Sequence, residues 1–158
     1  MTTSQRSQVH NTFVIERTYP AHVATVWHAM TDTDARDQWF GGGLNETFEA
    51  EERTHEFKVG SGGFETGQWH GGPTTRFVST YTDIVEHERF VYTYDLWVDG
   101  GHLSTSLTTV AMETVAEGTR LTYTEQGVHF DGLDSPAQRE EGTKGLLDQL
   151  GEHLAATA

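Results

Sequence analysis

The C-terminal stretch, Asp134 to Ala158, constrains the fold of this chain more than any other. Asp134 or Ser135 can cap a helix start, and Pro136 suits the first helical position, where a missing N–H costs nothing. Leu146, Leu147, Leu150 and Leu154 then form one apolar stripe at helical period. Arg139, Glu140, Glu141, Lys144, Asp148 and Glu152 take the opposite face. A helix patterned this way lies on an apolar layer. Gly142, Gly145 and Gly151 interrupt it, each at a cost of roughly 1 kcal/mol against Ala in a helix interior. Their presence implies that a wall, a strand or a ligand comes close there.

The upstream chain must supply the surface under that stripe. Residues 1–11 read as a flexible tail and 12–158 as a single domain. Thr12 to Tyr19 is β-branched and aromatic, a first strand. Pro20 opens a short helix with Val23, Val26, Trp27 and Met30 on one face. The cluster Thr31 to Asp34 ends it and caps a second helix, Ala35 to Phe40, which stops at Gly41-Gly42-Gly43. Six further strands follow, Glu52–Val59, Phe64–His70, Thr75–Val85, Arg89–Val98, His102–Val115 and Thr119–Gln126, separated by short turns that argue hairpins. Phe90, Tyr92, Tyr94 and Leu96 share one parity, so one face is covered and the other wet. The order predicts an α+β fold: a curved antiparallel β-sheet gripping a long C-terminal helix, with two short helices after strand 1.

Composition narrows the partners. A net charge of -14, with Lys58 and Lys144 the only lysines, argues against nucleic acid or an anionic membrane surface. The absence of cysteine excludes disulfides, thiolate metal sites and a Cys nucleophile. No run reaches transmembrane length, and the expected location is cytoplasmic. The hydrophobic fraction is 35% while aromatics reach 11%, so burial is concentrated in large rings that can wall a pocket as readily as fill a core.

The segments Arg17 to Ala21, Val26 to Asp32 and Trp39-Phe40-Gly41, the glycine turn Gly60 to Phe64, the hairpin Tyr81 to Val85 with Glu88 to Thr93, and Gly118 to Thr122 with Gly142 to Leu154 recur in a characteristic order. In these the chain resembles the START/Bet v 1-like helix-grip (SRPBCC) superfamily, and within it the branch similar to the activator of the heat-shock-protein-ninety ATPase. The resemblance covers roughly residues 12–156. It implies a deep cavity between sheet and long helix, but no single chemistry, because the fold serves carriers, cyclases, hydrolases and co-chaperones. Thr143 departs from the family pattern, which has Trp after the helix glycine, so that end of the cavity is expected to be wider or differently lined.

The expected function is binding of a small or medium hydrophobic or aromatic ligand, walled by Trp39, Phe57, Trp69, Phe77, Tyr81, Tyr92, Tyr94 and Tyr123. The alternative for these rings, with Phe40 and Trp97, is a filled core. An enzyme of the cyclase, aromatase or hydrolase type would use the same cavity with one acid or base. His55, His70 and His102 fall in or beside strands, where a pocket histidine could work with Glu125, Asp95 or Glu65. The nine histidines include no HExxH and no closely spaced pair, so neither a metal nor a cofactor is expected. Ser61, Ser79, Ser104 and Ser106 sit in no nucleophile elbow, and the glycine runs lack phosphate-loop spacing. The acidic segments Glu46–Glu52 and Arg139–Glu141 could instead dock a basic partner, as a co-chaperone would need. A homodimer is left open.

Overall fold

The computed structural model describes residues 6–40 and 48–158. Its strands are β1 (Gln8–Tyr19), β2 (Phe48–His55), β3 (Gly63–Trp69), β4 (Thr74–Val85), β5 (Arg89–Val98), β6 (Gly101–Val115) and β7 (Gly118–Phe130). Helices α1 (Val23–Thr31) and α2 (Thr33–Asp37) follow β1, and α3 (Pro136–Ala156) ends the chain. The strands form one antiparallel sheet in the order β1-β7-β6-β5-β4-β3-β2. Bulges at Ala50/Glu52, Tyr81/Asp83 and Leu96/Trp97 add local bend and twist, which is how such a sheet curls around a helix. This is the expected α+β helix-grip architecture.

Local chemistry explains the helix boundaries. Asp32 caps α2 by accepting a hydrogen bond from the Ala35 amide at 3.1 Å, so this helix begins at Thr33 rather than at Ala35. Ser135 caps α3 by accepting from the Gln138 amide at 3.1 Å, with Pro136 in the first turn. The expected stop at Gly41-Gly42-Gly43 lies outside the described residues.

Two strand assignments need correction. Gln8 to Asn11, read from the sequence as flexible tail, belong to β1 and pair with Gly127 to Phe130 of β7. The alternation in β7 was hidden at Gly127, where a Cβ would sit 3.1 Å from Ser106 Oγ, so the strand runs four residues past Gln126. The second strand lies earlier than predicted, ending at His55 rather than Val59. Residues 56–62 instead fold back under β4, because Gly62 lies against Ser79 so closely that a Cβ there would be 1.8 Å from its carbonyl oxygen. That turn places the Phe57 ring in the core, 4.8 Å from Tyr81 and 5.7 Å from Trp27.

The core fills one end of the grip. Leu147, Leu150 and Leu154 of α3 are buried with Val110, Met112 and Leu121 of the sheet, Phe13 and Ile15 of β1, and Val26, Trp27 and Met30 of α1. The Tyr19 hydroxyl donates to the Leu147 carbonyl oxygen at 2.7 Å and ties β1 to α3. Leu150→Ala is expected to cost about 2–5 kcal/mol of stability. Gly142→Ala, where nothing lies within 4 Å of a new Cβ, should gain up to about 1 kcal/mol. Opposite shifts in urea midpoint would bear this out.

Candidate functional site

The inward faces of β6 and β7 change character along their length. At one end Val110, Met112 and Leu121 are buried under α1 and the C-terminal half of α3. At the other, the same parity carries Ser104, Ser106 and Thr108 on β6 and Glu125 and His129 on β7, all buried. Between that polar end and the first half of α3 lies a cleft of about 510 Å3, within the range of about 300–1,000 Å3 typical of small-molecule sites.

Five of the eight predicted wall residues meet there: Trp69, Phe77, Tyr92, Tyr94 and Tyr123. Phe40, Phe48, Leu96, Leu103 and Leu146 extend the apolar wall. Gly142 and Gly145 form part of its helical side, and among the described residues neither has a neighbour within 4 Å of where a Cβ would stand. Among the described residues, the expectation that something approaches each helix glycine therefore holds only at Gly151, against the Tyr19 ring at 3.3 Å. Thr143, 6% exposed, also lines the cleft. The other three predicted wall residues lie elsewhere. Phe57 and Tyr81 pack with Trp27 and Phe90 in the filled end. Trp39 is buried with its indole N–H donating to the Ala29 carbonyl at 2.8 Å. Helices α1 and α2 cover that end of the sheet, so its rings interlock instead of facing a void. Trp97 is outside the cleft as well, stacked on His102 at 4.7 Å with Arg76 over it.

A buried polar network closes one end of the cleft. Arg139 Nη1 donates to the Tyr94 hydroxyl at 2.9 Å, and Nη2 donates to Ser104 Oγ at 2.8 Å and Asp134 Oδ2 at 2.7 Å. The Tyr94 hydroxyl in turn donates to Glu125 Oε1 at 2.8 Å, and Thr108 donates to the same oxygen at 3.2 Å. His129 Nδ1 lies 3.3 Å from Asp134 Oδ2. Burial raises the Glu125 pKa, opposed by Tyr94 and Arg139. Burial, with Arg139 beside it, lowers that of His129. Tyr94 and Tyr123 are pushed well above the usual phenol range by burial first, then by each one's charged or phenolic neighbours. The Tyr92 and Tyr123 hydroxyls lie 2.9 Å apart.

Most of this network was missed in the sequence. Arg139 was placed on the solvent face of the helix, yet Arg139, Thr143 and Leu147 are spaced by four and continue the buried row one turn further back. Glu125 was considered only as a partner for a pocket histidine, and His129 lay beyond the predicted end of its strand. Of the histidines that were considered, His102 bonds Asp95 at 2.9 Å and His70 lies 3.7 Å from Glu49 at the surface. Glu65 lines the cleft and is ion-paired with Arg53. Among the described residues, no three His, Asp or Glu side chains gather as a metal set, and no helix is long and apolar enough to cross a membrane.

A curved sheet closed by one long helix over a ring-lined cleft defines a helix-grip, cavity-bearing protein. The family model "Activator of Hsp90 ATPase homolog 1-like protein" matches residues 20–157, and the chain belongs to that family. It is similar to the Mll3558 protein from Rhizobium loti, with 41% identity and a TM-score of 0.85 over 93% of this chain and 99% of that one. A putative uncharacterized protein from Rhizobium leguminosarum shares 33% identity, with a TM-score of 0.89 over 96% and 99%. Protein CV1439 from Chromobacterium violaceum shares the fold at 22% identity, with a TM-score of 0.73 over 90% and 96%. No curated protein matches the chain.

His55 generates a pH prediction for the filled end. Its Nε2 lies 2.7 Å from the Tyr81 hydroxyl and its Nδ1 2.9 Å from Thr33 Oγ1, which ties α2 to β2 and β4. Burial, and then the Arg36 charge, push its pKa from 6.5 down to about 4. The folded state therefore binds fewer protons than the unfolded state between those values, and stability present above pH 6.5 is lost as the pH falls toward 4. His55→Gln should flatten that slope. Melts of both proteins across the window measure it, and parallel curves would refute the assignment.

Proposed function

We propose that this protein binds a small or medium apolar ligand of aromatic character in the cleft between the sheet and α3. The observation that carries the reading is the pairing of a ring-lined wall with two glycines on the facing helix. Phe77, Tyr92 and Tyr94 stand on one side, and Gly142 and Gly145 face open space on the other. Each glycine costs the helix about 1 kcal/mol, and no contact among the described residues explains either one. Burying about 300 Å2 of ligand at about 25 cal/mol per Å2 gives a gross gain of about 7 kcal/mol. Ordering costs are subtracted from that sum, so a rigid planar ligand is favoured over a flexible one.

Titration with an apolar fluorophore and a panel of aromatic compounds, read by tryptophan emission and thermal shift, tests this. Saturable binding is expected, and Gly145→Leu, which plugs the space, should weaken it about tenfold or more by steric exclusion. Absence of quenching and of thermal shift across the panel would remove the reading.

The network at the cleft end favours one second reading. A cyclase-, aromatase- or hydrolase-type enzyme needs a titratable group beside the rings, and Tyr94 and Asp134 both line the cleft, with Glu125 directly bonded to Tyr94. Mass analysis of ligand recovered after incubation separates the two, because a carrier returns it unchanged. A co-chaperone-like module would be expected to have a filled interior, so the open cleft favours ligand binding over that reading.

A further inference from the structure

The polar end of the cleft sets one cation against two carboxylates. Arg139 faces Asp134 at 2.7 Å and Glu125 at 3.8 Å, and the side chains of all three are about nine-tenths buried or more. His129, 4% exposed, adds no charge at neutral pH, since burial and the Arg139 cation both oppose its protonation. Tyr94 and Thr108 both donate to Glu125 Oε1, whereas Oε2 is buried without a hydrogen-bond partner among the described residues. A protonated Glu125 would need an acceptor beside Oε2. Tyr94, Arg139 and Thr108 favour the carboxylate, while burial, the largest effect, opposes it. Asp134 likewise uses the single oxygen Oδ2 for both Arg139 and His129. What this end has left over is acceptor capacity, beside two acids that share one cation.

Arg139 cannot offer itself to an acidic ligand without loss. Its bonds already run to Tyr94, Ser104 and Asp134, and turning it toward an incoming carboxylate would take from two buried carboxylates the cation they share. A cationic head meets the opposite situation. It gains Asp134, and it sits among the rings of Phe77, Tyr92 and Tyr94, whose faces attract cations. Among the described residues, the only other charged side chain lining the cleft is Glu65, itself an acid.

Resting on the ligand-binding reading above, we propose that the cleft selects apolar ligands that carry a basic amine, seats the ammonium against Asp134 at the Tyr94 end, and rejects the corresponding carboxylic acids. The test is calorimetric titration of the full chain at neutral pH with naphthylmethylamine, naphthalenemethanol and naphthylacetic acid, which share a ring and differ in the head. The amine should bind about tenfold or more tighter than the acid, with the alcohol between them, from Coulomb attraction and like-charge repulsion at a desolvated site. Asp134→Asn should collapse the amine preference, read as the ratio of amine to acid affinity within the same variant. Glu125→Gln, which also removes one negative charge from this end, is the second variant should Asp134→Asn not unfold cooperatively. An acid that binds as tightly as the amine, or a preference that survives both substitutions, overturns this inference and leaves the cleft reading standing. Failure of all three probes to bind, or binding insensitive to Gly145→Leu, removes both.

Discussion

Everything in this fold depends on the seating of α3 in the curl of the sheet. Leu147 and Leu150 have no exposed surface and Leu154 is 6% exposed, so one row of leucines carries the contact. At about 25 cal/mol per Å2 of apolar surface removed from water, such a row supplies several kcal/mol. The sheet can offer that row a matching surface only because all its strands are antiparallel neighbours with one face turned inward. Tyr19 then fixes the position of the helix along its own axis by a bond that a shifted helix could not make.

The seating covers only half of the groove. Where α1 packs against the sheet and α3, Trp27, Phe57, Phe90 and Tyr81 meet edge to face and close the interior. Beyond Tyr92 the same strands continue without a covering helix pair, and the side chains on α3 shrink to glycine. One sheet face thus yields a solid core at one end and a cleft at the other, with Tyr92 and Tyr123 at the boundary. Aromatic content alone could not have located that boundary, since rings of both kinds belong to the same strands and share the same parity.

This is why the sequence disclosed the fold more fully than the site. Strand count, hairpin connectivity and the closing helix follow from local signals such as the alternation of Phe90, Tyr92 and Tyr94, the Asp99-Gly100-Gly101 turn, and the Ser135-Pro136 helix start. Those signals fail where tertiary packing decides. Phe57 was misassigned to a strand because the tight approach of Gly62 to Ser79 cannot be read from either residue. Trp39 and Tyr81 were expected in the cavity because nothing local says which rings a distant helix covers. The polar network was harder still. A charged residue on a helix is normally solvated, so Arg139 looked like surface until the β-strands beneath it proved to carry Ser104 and Glu125.

The burial of that network has its own logic. A buried ion pair is weak evidence for stability, since well-packed apolar residues of similar volume often do as well or better. What Arg139 does is hold the first turns of α3 to β5 and β6 through side chains that reach down from the helix, to Tyr94 and Ser104. The leucine row holds the other end. Between these two supports α3 spans the cleft with Gly142 and Gly145, and its backbone needs no contact beneath it. Apolar residues in place of the whole network, Arg139 together with Asp134 and Glu125, would fill the groove that α3 now bridges, whereas losing Arg139 alone would strand two buried carboxylates. The charged anchor secures the helix from one end and leaves the middle open, so the cleft follows from how α3 is fastened rather than from imperfect packing.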